Sequence, residues 1–507
     1  MGRFLDGRKQ SGDVQADVCV IGGGAAGISA ALELADGPRG VTLLEAGGDQ
    51  LDPEYQELYR ATQVGLRTDT LQHNRWRVFG GTTGHWGGWC RPFDPIDFEK
   101  RDWVPHSGWP FPREALDDAY RRASALCQIP FGYDAKAETP PSDQHLFESN
   151  DDLENMVFRV SPPTRFGTVY RSQLEAAKNV DVMLHASVVD FELDADKTHL
   201  VAVKVQPLGG TAFRVRAKHF VLAVGAVETA RLLLNCTNQH AAGLGNEHDL
   251  VGRFFMQHLE LRKIRWVAPS PDARGRMKRA TVSEDARMAV RVAPHAQRKR
   301  QLLNQHFLVG AFADSRSGGV VEVMKKKYRR QRDLSAVDRA AHELALDVDG
   351  RSIRPRTMYF ADMLERPEQA PNPDSRLTLD EERDALGLRR TVMNWRFTEL
   401  DKRSLLDTQR LVAESLGKRA LGRVRCWADG FDPLDPQEPL HGGHHHMGTA
   451  RMHDDPKQGV CDAACRVHGV PNLWIAGSAT FPTSGYANPT LTIVAMAVRV
   501  ARAINAS

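Results

Sequence analysis

Residues 17–27 of this chain read D-V-C-V-I-G-G-G-A-A-G, and this stretch decides the fold. Its first five residues are mostly apolar and β-branched, which predicts a buried parallel strand. The glycines that follow have the spacing G-x-G-x-x-G, and residues 28–35 are rich in Ala and Leu, as in a helix. A second apolar stretch, residues 41–44, ends at Glu45, about 20 residues beyond the glycines. Strand, glycine turn, helix, strand and acid in this order predict a Rossmann-type unit that binds a dinucleotide.

Each part of this unit has a physical role. Gly22 permits the tight turn, Gly24 lets the backbone approach a pyrophosphate, and Gly27 lets the helix pack closely on the strand. The N-terminus of the helix offers free N–H groups to the phosphates. Glu45 can accept hydrogen bonds from ribose hydroxyls. NAD(P) and FAD are both bound in this way, so the motif alone leaves the cofactor open.

The composition limits the class of protein. A chain of 507 residues fits two or three domains, or one large domain with an insertion. With 41% hydrophobic and 26% charged residues, the chain is typical of a soluble globular protein. It contains no run of about 18 apolar residues, so we expect no membrane span. Residues 1–16 are polar and lack the apolar core of a signal peptide, so we expect a cytoplasmic protein.

Charge and cysteine content exclude further classes. The net charge of +3 is small and argues against a nucleic-acid binder. One basic cluster at residues 325–332 is interpreted as a solvated helix face, with a docking patch for an acidic partner as the alternative. The seven cysteines are scattered and odd in number, so we expect reduced thiols.

Residues 71–103 are unusually rich in Gly and Trp. So many glycines beside aromatic residues indicate a backbone packed against something flat. A glycine-rich loop held in place by Trp86 and Trp89 is the alternative. A helix is then predicted from Ala115 to Cys127.

The Rossmann sheet is predicted to resume about 200 residues after its first strand. Residues 220–226 form another buried strand and glycine turn, and residues 227–234 follow as a helix. From about residue 260 to 440 the chain is rich in Arg, Pro and strand-like runs such as 376–379 and 391–395. This part predicts a separate substrate domain built on an antiparallel sheet. Further strands are predicted at 180–184, 188–193 and 200–205.

The C-terminal part carries a histidine cluster. Residues 441–449 read H-G-G-H-H-H-M-G-T, with four His in six positions. A metal site is the rival interpretation, but no carboxylate or Cys lies at ligand spacing beside these histidines, so we expect no metal. Residues 472–478 predict a strand and glycine turn. A helix is predicted from Leu491 to Ile504, with Pro489 in its first turn.

Together these segments resemble the glucose–methanol–choline (GMC) oxidoreductase family, whose motifs occur here in the family's order over nearly the whole chain. The Gly-His-Trp motif and the ending at residues 486–490 are similar to the branch of pyranose oxidases, FAD sugar dehydrogenases and glycoside 3-oxidases. The matching segments are the fingerprint through Glu45, residues 80–86 (GGTTGHW), 225–231 (GAVETAR), 251–258 (VGRFFMQH), 371–376 (PNPDSR), His445-x-x-Gly448-Thr449, and 477–489.

The resemblance implies an α/β fold, α+β overall, with a Rossmann-type FAD-binding domain and an antiparallel-sheet substrate domain. The FAD-binding domain would comprise residues 1–105, 176–259 and 440–507, and the substrate domain residues 106–175 and 260–439. The resemblance assigns FAD contacts to Gly22, Gly24, Gly27, Glu45, Gly81, Thr82, His85, Trp86, Val188, Gly225, Gly477, Asn488, Pro489 and Thr490. His85 matches the residue that carries a covalent flavin in some relatives. Other relatives with the same motif bind FAD non-covalently, so covalent and non-covalent binding of FAD both stay open.

The resemblance also implies the family's chemistry at two positions. His445 matches the catalytic His and would accept the hydroxyl proton as a hydride leaves carbon for flavin N5. Asn488 matches the partner position, which is His or Asn in relatives, and would orient the substrate oxygen. Neutral His has an unperturbed pKa of about 6.5 and can act as a base near neutral pH. The neighbours His444 and His446 are the alternatives to His445.

The substrate does not follow from the resemblance, because residues 270–350 match no family motif. We expect a sugar or glycoside whose secondary hydroxyl, at C-2 or C-3, becomes a ketone. The electron acceptor would be O2, a quinone or a redox protein. The alternatives are a GMC enzyme for a non-sugar alcohol, a lyase that keeps flavin only structurally, the catalytic subunit of a cytochrome-linked dehydrogenase with a small partner subunit, and a non-catalytic dinucleotide-binding module.

Overall fold

The structure, a computed structural model, describes the chain except residues 1, 67, 131–144, 149, 269–280, 284, 310–312, 315–358 and 427–441. The basic cluster at 325–332 and His441 therefore lie outside the described residues, as does most of the stretch 270–350. The described residues form two large sheets, two small sheets and the helices that cover them.

The first large sheet, called the parallel sheet below, is built around the strand Val18–Ile21. That strand is buried along its full length and pairs in parallel with Val41–Leu44 on one side and His219–Leu222 on the other. Its strands run parallel except for the edge strand Arg466–Val467, which is antiparallel. The order across the sheet is Phe4–Asp6, Val180–Leu184, Val41–Leu44, Val18–Ile21, His219–Leu222, Val470–Ile475 and Arg466–Val467. The predicted Rossmann sheet is confirmed.

Side chains of the central strand alternate between two cores. Val18 and Val20 face one core, which holds the helices Ala25–Leu34 and Thr490–Ala506, and these helices pack against each other. Cys19 and Ile21 face the other core, which holds the helix Gly225–Asn235. Successive side chains of a strand point to opposite faces, so a continuous apolar run suits a strand covered on both faces.

The helix predicted from Ala115 to Cys127 is divided in two. A 3₁₀ turn spans Arg113–Leu116, and an α-helix spans Asp117–Leu126 and packs against Thr490–Ala506. The break falls at Leu116, whose φ of −102° and ψ of 0° lie outside the α-helical region.

The second large sheet, called the antiparallel sheet, takes all its strands except Trp89–Cys90 from the predicted substrate domain, and its antiparallel pairing is confirmed. The helix Glu399–Lys418 packs on it through residues such as Leu411 and Leu416, which meet Ile264 and Trp266 in one core. The order across the sheet is Arg423–Cys426, Leu261–Ala268, Tyr359–Pro367, Gln305–Val309, Ala286–Val292, Leu153–Val160 and Trp89–Cys90, with Thr281–Ser283 beside Ala286–Val292 and Ala313–Asp314 beside Tyr359–Pro367.

The strand runs 376–379 and 391–395 are confirmed as strands but were assigned to the wrong sheet. They belong to the hairpin Arg376–Arg383 and Arg389–Trp395, which pairs in parallel with Ala61–Gly65 in a small sheet of its own. The partner strand lies more than 300 residues earlier in the chain, so local periodicity could not identify it. The other small sheet contains Val14–Gln15, Phe213–Arg216, Leu200–Val205 and Val188–Leu193.

The remaining elements are short. The helices are Pro53–Glu57, Leu71–Asn74, Pro95–Phe98, Phe166–Val169, Arg171–Ala176 and Pro294–Arg300, and the 3₁₀ turns are Gly7–Lys9, Gly81–Gly84 and Ser478–Thr480. Among the helices that the structure describes, none combines the length and apolarity needed to cross a bilayer. Of the seven cysteines, the six whose side chains are described are buried free thiols.

The strands of the parallel sheet come from residues 1–105, 176–259 and 440–507, the three ranges predicted for the FAD-binding domain. Residues 106–175 contribute Leu153–Val160 to the antiparallel sheet. The domain boundaries themselves stay a prediction.

Candidate active site

A cavity of about 420 Å³ lies at the carboxyl end of the parallel sheet. Three strand-to-helix turns open onto it through Gly24, Gly225 and Gly477. A Cβ atom built on any of these three glycines would meet no atom of the described chain within 4 Å, so they border open space. The carboxyl edge of a parallel sheet, where helices begin, is the usual site for a nucleotide.

Gly22 and Gly27 have a different role, since both are required by packing. Gly22 has a φ of +106°, and a Cβ there would lie 2.6 Å from the carbonyl oxygen of Ala223. A Cβ on Gly27 would overlap the carbonyl oxygen of Gly22, where the helix crosses the turn. The three fingerprint glycines therefore differ in their surroundings: Gly22 and Gly27 shape the turn, and Gly24 faces the cavity.

Glu45 lies in the wall of the cavity beside this turn, a region called the fingerprint end below. Its carboxylate accepts hydrogen bonds from the backbone N–H groups of Gly23 and Gly47, each at 2.7 Å. Burial raises its pKa, while these two hydrogen bonds oppose the rise. Each carboxylate oxygen keeps a second lone pair, which could accept from a ribose hydroxyl as predicted.

A cluster of charged residues at the fingerprint end was missed by the sequence analysis. Arg75 and Arg77 lie over the ring of Tyr59, at 4.0 and 4.2 Å, and both pair with Glu228. Burial alone would raise the pKa of the Glu228 carboxyl, but the guanidinium groups around it outweigh burial and lower that pKa to about 2. Glu228 belongs to a quoted motif, whereas nothing in the sequence marked the two arginines.

Polar atoms without partners identify where a ligand would be held. In the described part of the chain, Arg75 Nε and Nη2, Arg77 Nε and Ser187 Oγ are buried without a hydrogen-bond partner, and all three residues line the cavity. Buried polar groups in proteins are nearly always paired. Together with the open space at Gly24, these unpaired donors fit a phosphate-bearing dinucleotide.

The middle of the cavity is formed by the Gly- and Trp-rich segment. Gly81, Thr82, His85 and Trp86 all line it, as does Val188 from another strand. A Cβ on Gly81 would lie 3.1 Å from the Cα of Gly24, so this segment packs directly on the fingerprint turn.

His85 is held beside the cavity by an aromatic contact. Its ring lies against Trp76, with 4.4 Å between ring centroids. Burial lowers the pKa of the imidazole, and nearby His444 and Arg165 lower it further. His85 thus lines the cavity, and a covalent bond to flavin at this residue stays a prediction.

The other end of the cavity, called the histidine end, is lined by His444, His445 and His446. Each of these three side chains has different contacts. His444 bonds to Asp69 at 2.9 Å near the surface. His446 is buried against Phe255, with ring centroids 5.7 Å apart. The Nε2 of His445 lies 3.3 Å from the Nδ2 of Asn488, so His445 is the member of the triplet that meets the predicted partner.

Burial in the cavity wall lowers the pKa of His445 well below its ordinary value, and the neighbouring groups His258 and Arg366 lower it further. The imidazole is therefore neutral at neutral pH and carries a lone pair that can accept a proton. His258 was quoted in the sequence only as part of a motif. Its ring Nδ1 lies 2.9 Å from the Nδ1 of His445.

Asn488 lies at the start of the last helix. Pro489 immediately precedes Thr490–Ala506, so the N-terminus of this helix opens at the histidine end. Asn488, Pro489 and Thr490 all line the cavity. The Oδ1 of Asn488 accepts a hydrogen bond from Arg366 Nη1 at 2.9 Å. One continuous cavity thus joins the predicted nucleotide contacts to the predicted catalytic pair, as an FAD molecule would require.

Comparison with known proteins agrees with this geometry. Residues 371–497 match the model of the GMC oxidoreductase family, and residues 16–264 match that of the pyridine nucleotide-disulphide oxidoreductases. The first range contains His445 and Asn488, and the second contains the glycine fingerprint.

Individual relatives are either distant over nearly the whole chain or more similar over a short segment. Paromamine 6'-oxidase of Streptomyces fradiae is 26% identical, covering 96% of this chain and 91% of its own. C-glycoside 3-oxidase of Microbacterium trichothecenolyticum is 46% identical over 77 residues, 14% of this chain and 15% of its own. The crystal structure of pyridoxine 4-oxidase from Mesorbium loti has the same fold, with a TM-score of 0.56 at 17% identity over 96% of this chain and 99% of its own.

The cavity, the fingerprint and the family match lead to one assignment. The chain carries the C-terminal domain of the GMC oxidoreductases and is an FAD-dependent enzyme that acts on CH–OH donors.

Proposed function

We propose that the enzyme oxidises a secondary hydroxyl of a sugar or glycoside, at C-2 or C-3, to a ketone. The observation that supports the chemistry most directly is the pair His445 and Asn488, whose Nε2 and Nδ2 atoms lie 3.3 Å apart in the cavity wall. A hydroxyl oxygen within hydrogen-bond distance of both atoms can donate its hydrogen to the imidazole and accept one from the carboxamide.

In this proposal His445 is the base. Its depressed pKa keeps the imidazole neutral, so Nε2 can take the hydroxyl proton while the C–H bond breaks. Asn488 donates an N–H to the substrate oxygen and fixes the direction of the C–H bond. The bound FAD would supply the acceptor for the hydride of the carbinol carbon, with O2 or another acceptor as the final destination of the two electrons. The O–H and C–H bonds break, the C=O bond forms, and the proton remains on His445.

The residues that would hold FAD are the predicted ones that line the cavity. They are Gly22, Gly24, Glu45, Gly81, Thr82, His85, Trp86, Val188, Gly225, Gly477, Asn488, Pro489 and Thr490. Gly27 would act through the shape of the turn rather than by contact. Denaturing the purified enzyme tests attachment: flavin that stays with the polypeptide supports a covalent bond at His85, and flavin that is released excludes it.

The substrate class is supported by the relatives and by the cavity. One similar segment belongs to an enzyme named for oxidation of a C-glycoside at position 3. Trp86 and Trp89 line the same cavity as His445 and offer flat apolar surfaces to a sugar ring.

Anaerobic mixing tests the proposal. The FAD-bound enzyme is mixed with pyranoses and with glycosides, and flavin absorbance is followed. Non-sugar primary and secondary alcohols serve as the control compounds. We expect bleaching by a sugar or glycoside, and product analysis should show a ketone at C-2 or C-3. Bleaching by non-sugar alcohols alone would contradict the substrate class.

A second measurement concerns the electron acceptor. After bleaching, oxygen or a soluble quinone is added and the return of flavin absorbance is timed. Rapid return with peroxide formation supports O2 as acceptor. Slow return with O2 and rapid return with the quinone supports a dehydrogenase.

A further inference from the structure

His258 lies directly beside the proposed base, although 187 residues separate it from His445 in the chain. Residues 256–259 run antiparallel to residues 442–447, with bridges between Met256 and Met447 and between Leu259 and Gly442. The backbone N–H of Gly443 also donates to the carbonyl of His258 at 2.7 Å. His258 is fully buried. The contact between the two rings is therefore held by backbone pairing on both sides.

The partners of His258 determine where its hydrogen lies. Its Nε2 is 2.8 Å from the carbonyl oxygen of Gly485 and 3.2 Å from that of Ser484. Carbonyl oxygens only accept, so Nε2 must carry the hydrogen. Burial lowers the pKa of His258 to about 3, so the ring is neutral and its Nδ1 has a lone pair.

The same reasoning then applies to His445. Its Nδ1 lies 2.9 Å from the unprotonated Nδ1 of His258, so it must be the donor of that hydrogen bond. The His445 ring is itself neutral. A neutral imidazole has one hydrogen, so the Nε2 of His445, which faces Asn488, carries a lone pair.

Asn488 is oriented from the other side. The Nη1 of Arg366 donates to its Oδ1 at 2.9 Å, and a guanidinium has no acceptor, so the amide oxygen must face Arg366. The amide nitrogen then faces the Nε2 of His445. Arg366 is nearly buried and also pairs with Glu260, which holds the guanidinium in place.

We propose that His258 and Arg366 are positioning residues that fix the hydrogens of the catalytic pair, so that one lone pair on His445 and one N–H of Asn488 lie side by side. This inference rests on the proposed function, in which a substrate hydroxyl needs one acceptor and one donor. If His445 instead carried its hydrogen on Nε2, the substrate would meet two donors and no base.

Nitrogen NMR of the histidine rings tests the hydrogen positions without turnover. Enzyme labelled with ¹⁵N-histidine, with FAD bound and no substrate, is compared with His445→Ala to assign the His445 signals. We expect the tautomer with hydrogen on Nδ1 in the wild-type enzyme and a loss of that preference in His258→Leu. A hydrogen on Nε2 of wild-type His445 would overturn the proposal.

Kinetics of matched variants separate positioning from packing. His258→Leu should lower kcat by about 100-fold or more with KM changed less than about threefold, as for other variants that lose the correct tautomer. His258→Asn, which returns an acceptor near the Nδ1 position, should recover at least about tenfold of that loss. Arg366→Lys keeps the charge but loses the planar fork, and should lower kcat by about tenfold.

His306→Leu is the matched control. His306 is fully buried, and neither ring nitrogen has a hydrogen-bond partner among the described residues, so it lies outside this hydrogen-bonded chain. Its kcat should change less than about threefold. Wild-type kcat in His258→Leu would overturn the proposal. Full turnover in His445→Ala would instead overturn the proposed function, so the two failures are distinguishable.

Discussion

At the fingerprint end of the cavity the buried side chains Arg75, Arg77 and Glu228 are charged, whereas at the histidine end the proposed base, His445, is a neutral imidazole. Glu228 pairs with both arginines, so the carboxylate compensates their buried charges. His445 and His446 are buried without a carboxylate partner among the described residues, and their pKa values are pushed well below the ordinary value. A site that holds phosphates benefits from paired cations, while a site that removes a proton needs a lone pair. Ion pairs hold the cations at the fingerprint end, and burial keeps the imidazole lone pair unprotonated at the histidine end.

The fingerprint end should be the more sensitive to a single added methyl group. In Gly27→Ala the new Cβ would overlap the carbonyl oxygen of Gly22, which is backbone and cannot move away. We expect a loss of at least about 4 kcal/mol in stability, with little or no flavin in the purified protein. Flavin-to-protein ratio and the thermal unfolding midpoint measure both effects.

Gly24→Ala provides the control at the same turn. Its Cβ would meet no described atom within 4 Å but would enter the cavity. The variant should fold like wild type and bind FAD more weakly. Normal flavin content in Gly27→Ala would contradict the division of roles between these glycines.

Removal of the base should be the largest effect at the histidine end. His445→Ala should lower kcat by about 10²–10⁴-fold, the range that a positioned general base supplies, with flavin content unchanged. A smaller loss of kcat in His445→Ala than in His444→Ala would show that the assignment of the base to His445 is wrong. Stopped-flow measurement of flavin reduction, with the substrate found in the panel, provides the comparison.

The pH dependence of the free energy of unfolding tests whether burial keeps the His306 imidazole neutral. Burial lowers its pKa well below 6.5, so its contribution to stability is fully present above pH 6.5 and is lost as the pH falls below that value. Between pH 7.5 and 5.0 the wild type should lose more stability than His306→Leu, by up to about 2 kcal/mol. Urea unfolding of both proteins at both pH values gives this difference, in which the titration of other groups cancels. Equal losses would show that His306 is not held neutral.

The smallest effect is expected in the pH dependence of catalysis. The groups that face His445 are His258, Arg366, His444 and His446, and burial is the largest cause of its lowered pKa. The base therefore stays unprotonated as the pH falls through 6.5. We expect kcat/KM for a neutral sugar to change less than about twofold between pH 7.5 and 5.5. A base with an ordinary pKa of about 6.5 would lose about tenfold over this range, and such a loss would contradict the burial argument.

The two ends also differ in how far the sequence could predict them. The fingerprint is local: Gly22, Gly24 and Gly27 lie within six residues, and the physical requirement at each can be inferred from the spacing. His445 and Asn488 were found through the family resemblance, because no periodicity links positions 43 residues apart. The role of His258 depends on a ring contact across 187 residues and on two backbone carbonyls, neither of which leaves a sequence pattern.

The wrong sheet assignment of one hairpin and the missed arginines at the fingerprint end have the same origin. The strands Arg376–Arg383 and Arg389–Trp395 were recognised from alternation, but the distant strand Ala61–Gly65 decides their sheet. Arg75 and Arg77 lie in a stretch noted only for Gly and Trp, and their value comes from Tyr59 and from the distant Glu228. Partners far apart in the chain decide both outcomes.

The order of strands in the parallel sheet has a consequence for synthesis of the protein. His219–Leu222 pairs on its outer side with Val470–Ile475, and Ala25–Leu34 packs against Thr490–Ala506. At roughly 5–20 residues per second, the ribosome needs on the order of 10–50 s to make the roughly 250 intervening residues. During that interval the nascent chain has an open strand edge and an uncovered helix face, which are sites for aggregation or chaperone binding. The enzyme is therefore most vulnerable before its last helix leaves the ribosome, whatever the stability of the finished fold.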